Sequence, residues 1–158
     1  MKDPILEEAL NKMRNWCSRQ DRSRKEVITK LSRAGYASEL IDRAIVLLEE
    51  DRYLDESRFA ESYVTGHFRM KNWGRLKIRQ GLQLKGVGEQ LGAKAIEENI
   101  NESDYLATLA KVLGRKVPPT QWSSLDYAQK QKLMQYAYSR GFEPELIRKV
   151  MEGYDYLA

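Results

Sequence analysis

His67 is the only histidine and Cys17 the only cysteine in the 158 residues, so a zinc site built on imidazole and thiolate has nothing to assemble from. A Cys–His nucleophile pair is conceivable, but each residue falls on an apolar stripe of a helical pattern, where packing is the simpler explanation. The run Gly81-Leu82-Gln83-Leu84-Lys85-Gly86-Val87-Gly88 brushes against a phosphate-binding loop. Val87-Gly88, however, stands where that loop needs Lys followed by Ser or Thr. Gly86-x-Gly88 also lacks the preceding strand of a dinucleotide turn. The acidic run Glu49-Glu50-Asp51 closes a helix, and no convergent apolar pocket is implied. The sequence therefore argues against an enzyme, a bound cofactor or a metal. What the side chains do offer is charge.

Net charge is only +4, but it is laid out in blocks. Residues 12–33 hold eight Lys/Arg against Asp21 and Glu26; residues 39–61 hold eight Asp/Glu against Arg43, Arg52 and Arg58. Residues 62–94 return to seven Lys/Arg against Glu89 alone. Alternating blocks of this kind orient a partner as well as attract it. The acidic block reads as a solvated helix face, whereas the unbalanced 62–94 block implies a polyanion or an acidic protein surface as partner. Ile78 and Leu82 mark the buried direction of the helix that starts at 75. On that wheel Arg75 and Arg79 share a flanking ridge, four residues apart, with Lys77 and Lys85 elsewhere on its exposed side. Arg69 and Lys71, at the end of the preceding helix, complete a basic cluster near the Trp73-Gly74 corner. Arg22, Arg24 and Lys25 form a second patch, of which Arg22 and Lys25 are taken as contacts and Arg24 is read along the buried side.

The elements that must carry these charges are helices throughout, since apolar spacing is helical and no alternating β-branched run appears. Ser23 and Glu26 spell a capping box, and Asp55 fits an N-cap, with Leu54 placed to staple onto Phe59. Pro144 suits a first helical position. Pro118-Pro119 lies in a long connection, 114–122, that reads as a hinge or a rigid extended spacer. The pattern Gly35-Tyr36-x-x-x-Leu40-Ile41-x-x-Ala44 returns as Gly86-Val87-x-x-x-Leu91-Gly92-x-x-Ala95 and as Gly141-Phe142-x-x-x-Leu146-Ile147-x-x-Val150. Val27, Ile78 and Leu133 sit eight residues before each glycine, and Leu31, Leu82 and Ala137 four before. One helical unit is thus used three times, over 1–53, 54–101 and 102–158. Repeats of this length stack into arrays that bind along an extended surface. The expectation is an all-α chain of three tandem three-helix units in an elongated, right-handed or curved array. It is expected to be monomeric, because no unpaired strand edge or large apolar seam is evident. A first decade holding Asp3, Glu7 and Glu8 without an apolar run predicts neither a leader nor a membrane span, and a single cysteine suits a reducing compartment, so the cytoplasm is the expected location.

Leu54-Asp55-x-x-Arg58-Phe59-Ala60-x-x-Tyr63-Val64, followed by Gly74-x-x-Lys77-Ile78-x-x-x-Leu82-x-x-Lys85-Gly86-Val87, resembles the central signature of the RecX family of recombinase regulators. Arg22-Ser23-x-x-Glu26-Val27-x-x-Lys30-Leu31-x-x-x-Gly35 is similar to that family's opening motif, and Arg140-Gly141-Phe142-x-x-x-Leu146-Ile147 to its closing helix pair. The resemblance covers about 10–152. Gly66, Gly81 and the proline loop depart from it, and each in-helix glycine costs about 1 kcal/mol relative to alanine. The resemblance implies a protein that lies in the groove of the RecA–single-stranded-DNA filament and inhibits strand exchange and ATP turnover. With it comes a role in DNA repair. Lys/Arg patches without evident base-reading residues predict, for their part, weak and sequence-independent affinity for bare DNA. The other reading of the same residues is a basic helical protein acting directly on DNA, because helix–Gly–helix also spells a helix-turn-helix. Triplication counts against it, since a recognition helix is needed once and an architectural turn is needed in every unit.

Overall fold

A computed structural model describes residues 3–153. Helices run α1 (Pro4–Arg19), α2 (Arg24–Arg33), α3 (Ser38–Glu50), α4 (Glu56–Lys71), α5 (Arg75–Leu84), α6 (Glu89–Asn99), α7 (Glu102–Lys116), α8 (Tyr127–Ser139) and α9 (Pro144–Glu152). Among the described residues there is no strand. Local signals set most of the ends. Both halves of the Ser23–Glu26 capping box are made, and a second box joins Asp126 to Gln129. The Asp55 carboxylate accepts from the Arg58 amide at 3.0 Å. Gly35, Gly86 and Gly141 all adopt positive φ, 94°, 82° and 100°, which is why the same residue type closes the second helix of every unit.

The closest helix pairs all lie within a trio: α1 and α2 on α3, α4 to α6 on one another, and α7 to α9 on one another. The apolar cores do not follow the same division. Leu6, Leu10, Met13, Val27, Leu31, Ile41 and Leu48 form one core. A second runs without interruption from Phe59 through Tyr105 and Phe142 to Val150. The second and third units thus share a core, and the first stands apart. Leu54 is buried in the first core and does not staple onto Phe59, which belongs to the other. The accessible surface, 9941 Å² for 18.4 kDa, exceeds the roughly 8200 Å² of a compact monomer of that mass, as an array with narrow junctions requires.

Two features that stand out in the sequence have packing explanations. Pro118-Pro119 is neither hinge nor extended spacer. It leads into a 3-10 turn, Pro119–Ser124, pinned by Trp122, which is 2% exposed and donates its indole N–H to the Val117 carbonyl at 2.8 Å. A Cβ at position 81 would sit 1.8 Å from the Tyr63 hydroxyl, so Gly81 makes room for the Tyr63 ring on α5. Nothing in the structure explains Gly66.

Candidate partner-binding face

Charge sorts by helix position within the trios. The second helices are basic: α2 carries Arg24, Lys25, Lys30 and Arg33 against Glu26, and neither α5 nor α8 contains an acid. Two of the third helices lean acidic, with Glu39, Asp42, Glu49 and Glu50 on α3 and Glu89, Glu97 and Glu98 on α6, while α9 is balanced, Glu145 and Glu152 against Arg148 and Lys149. The second helices are also joined in series. At the start of α5 the Gly74 amide donates to the Arg140 carbonyl at 2.8 Å and the Leu76 amide to Gly141 at 2.9 Å, so the end of α8 meets the beginning of α5. A Cβ on Gly74 or on Gly141 would strike the other chain segment at 2.3 and 2.5 Å, which demands glycine at both positions. The end of α5 meets the beginning of α2 in the same sense: Lys25 Nζ donates to the Leu84 carbonyl at 3.0 Å, and Gly86 packs on the Lys25 side chain. The sequence α8, α5, α2 is therefore a continuous basic band. Ile28, Leu84, Tyr127 and Tyr138 are large apolar side chains exposed on those three helices, and Met70 is exposed at the end of α4.

The residues singled out from sequence divide sharply on this band. Arg69 and Arg79 are exposed and, among the described residues, carry no ion pair or side-chain hydrogen bond. Lys71 and Lys77 stand over the Trp73 ring, 5.5 and 4.6 Å from its centroid. Trp73 packs on the shared core with one side and meets His67 with its ring, 4.5 Å away, while His67 in turn stacks on Tyr63 at 3.8 Å. Lys85 pairs with Glu26 at 3.4 Å, and Arg22 lies 4.1 Å from the Trp16 ring centroid.

Arg75 is the correction. It does not share a free ridge with Arg79. Its guanidinium is clamped between Glu143 at 3.0 Å and Glu102 at 2.5 Å, lies 3.8 Å from the Tyr105 ring centroid, and is 22% exposed. Tyr105, fully buried, accepts from the Arg75 amide at 2.9 Å and donates to Glu143. Burial pushes the Tyr105 phenol far up from its ordinary value, and the Glu143 carboxylate adds to the push. Arg75 thus ties α5 to the third trio. Arg24, read along the buried side, is exposed and pairs with Glu49 at 2.7 Å. A second clamp joins the first two trios through Asp21, which accepts from Arg58 and from Ser62, each at 2.6 Å. Burial alone would raise the Asp21 carboxyl, but those two bonds outweigh it and hold it below 3.8. Arg33, Lys130 and Lys132, not among the residues singled out from sequence as contacts, are exposed band cations without partners among the described residues. The acid-free composition of α8 was the available signal for the last two.

The described residues form a tandem array of three-helix units, a fold of the helical-repeat class, with a basic second helix in each unit. Family models for the first, second and third three-helix domains of RecX match residues 9–46, 55–96 and 103–151, so the chain belongs to the RecX family. Regulatory protein RecX of Chlorobium phaeobacteroides (strain BS1) is 30% identical over 133 residues, covering 84% of each chain. Its counterpart in Pasteurella multocida (strain Pm70) is 32% identical over 140 residues, 87% of this chain and 82% of that one. A crystal structure of RecX from Lactobacillus salivarius superimposes with a TM-score of 0.78 over 95% of this chain and 96% of that one at 24% identity, a likeness of fold. Among the described residues no helix is long and apolar enough to cross a membrane.

Proposed function

We propose that this protein regulates the RecA recombinase by lying in the groove of the RecA–single-stranded-DNA filament, where it inhibits strand exchange and ATP turnover. The observation that carries the reading is the band: three basic helices joined end to end, one from each of the units 1–53, 54–101 and 102–158. At 1.5 Å per residue each of those helices is about 15–20 Å long, so the series can meet more than one protomer of a filament. Arg69, Lys71, Lys77, Arg79 and Lys25 face the filament, joined by Arg33, Lys130 and Lys132. Arg22 and Lys85 contribute field from the junction, and Arg75 acts as a positioning residue that fixes the angle between two band helices. The protein works as a monomer in the cytoplasm and needs no cofactor.

The helix-turn-helix reading is disfavoured by the third helices. A three-helix reader of DNA places its third helix in the major groove, and α3 and α6 present carboxylates there. Bare DNA is expected to bind weakly, by counterion release. Sedimentation with RecA filaments and with bare single-stranded DNA, over a series of salt concentrations, separates the two. Retention on filaments at a salt concentration that strips bare DNA, together with a fall in RecA ATP turnover, is expected. Equal retention on both, with turnover unchanged, overturns the proposal.

A further inference from the structure

Between α2 and the end of α5 lies an open cleft of about 620 Å³, with Trp16, Ala34 and Leu84 as its apolar floor and Lys30, Arg33 and Lys85 on its rim. It straddles the junction of the two separately cored parts of the molecule. Leu84 is 75% exposed, although the following residue turns inward to Glu26. The one carboxylate on the lining, Glu26, is already occupied, by the Ser23 amide at 2.9 Å and by Lys85. Arg33 has no partner among the described residues, and Lys30 has only the Trp16 ring. The cleft therefore presents unspent positive charge around exposed apolar surface. Its complement is a ligand that carries negative charge and an apolar group together.

A nucleic-acid strand and an acidic protein segment both meet that description, and the aromatic side chain decides between them. Sequence-tolerant binding of single strands relies on free aromatic faces on which bases stack. Trp16 offers none: the Arg22 guanidinium and the Lys30 ammonium both lie over its ring, 4.1 and 4.6 Å from the centroid. What remains is a greasy floor of Leu84 and Ala34 beside paired cations one helical turn apart. Carboxylates at that spacing around a buried aliphatic side chain fit it.

We infer that the α2–α5 cleft takes an acidic segment of the recombinase polypeptide, its carboxylates on Lys30 and Arg33 and an apolar side chain on Leu84, and not the DNA of the filament. This rests on the recombinase reading above. Because the cleft spans two cores, an occupant also fixes the first trio against the second.

The test places p-benzoylphenylalanine at position 84, where the side chain is solvent-exposed, and irradiates the protein with RecA filaments on end-labelled single-stranded DNA. Crosslinking to RecA, mapped by mass spectrometry to an Asp/Glu-rich peptide, is expected. In a companion titration Arg33→Glu should weaken filament binding by about tenfold. Label transfer to DNA, crosslinking to a second copy of this chain or to a RecA peptide lacking acids, or co-sedimentation without any crosslink would each overturn the inference. Failure to co-sediment at all removes the recombinase reading itself, and the inference with it.

Discussion

Replacing Arg75 with alanine removes a cation from between Glu143, Glu102 and the Tyr105 ring, and the stability lost can be built from those three contacts. The bond to Glu143 lies at a site where both side chains are about one-fifth exposed, so it belongs with hydrogen bonds to charged groups, worth about 1.5–3 kcal/mol. Glu102 is 60% exposed, and its pair contributes roughly 0–1 kcal/mol despite the short distance. Contact with the Tyr105 face adds about 0.5–1 kcal/mol. Together the loss is about 3 kcal/mol, or a fall in Tm of roughly 6–12 °C for a chain of this size. Calorimetry of Arg75→Ala gives the total, and a double-mutant cycle with Glu143→Gln against one with Glu102→Gln apportions it. The first cycle should show the larger coupling. A Tm within about 2 °C of the parent, or equal coupling to the two glutamates, refutes the clamp and returns Arg75 to the free surface.

Arg69→Glu with Arg79→Glu should leave Tm within a degree or two, since exposed charge changes cost under about 0.5 kcal/mol each, while filament affinity falls and its salt dependence weakens; unchanged affinity in a folded variant removes these two residues from the face. His67 is held below 6.5 by burial, with Lys71 and Lys85 adding to the depression against the raising effect of the Tyr63 carbonyl. The unfolded chain therefore takes up that proton first, stability declines as pH falls from 6.5 through the folded value, and denaturant melts of His67→Gln should lack that slope. Asp21, depressed below 3.8, contributes stability above that pH which is lost as pH falls through the folded value; Asp21→Asn should flatten the acid limb and loosen the first trio from the second. The Cys17 thiol, pushed up by burial, should react with a thiol reagent only as fast as the first trio opens.

Features fixed within one helical turn of sequence were legible: the Ser23 box, the Asp55 cap, the glycine turns and the apolar stripes that make the helices of the described residues in trios. Features that depend on partners far along the chain were not. A helical wheel for 75–84 places Arg75 beside Arg79, but it cannot see Glu102 and Glu143, which the third trio delivers from 27 and 68 residues away. Gly81 reads as a weak helix former until the Tyr63 ring is laid across it. The uneven division into two cores was hidden for the same reason, because the apolar stripes of the three units are alike and only the contacts between them differ. The blocks of charge were visible as blocks. That the second helices carry their cations with Glu26 as their one acid, and that those helices join end to end, needed the helix boundaries and the junctions at Gly74–Gly141 and Lys25–Gly86.

Hydrogen exchange of this protein, free and bound to RecA filaments on single-stranded DNA, tests the band most directly. Added protection is expected on α2, α5 and α8 and at the end of α4, with the outer faces of α3 and α6 exchanging as in the free protein. Protection centred on α3 and α6, with α5 unchanged by the filament, would contradict the account.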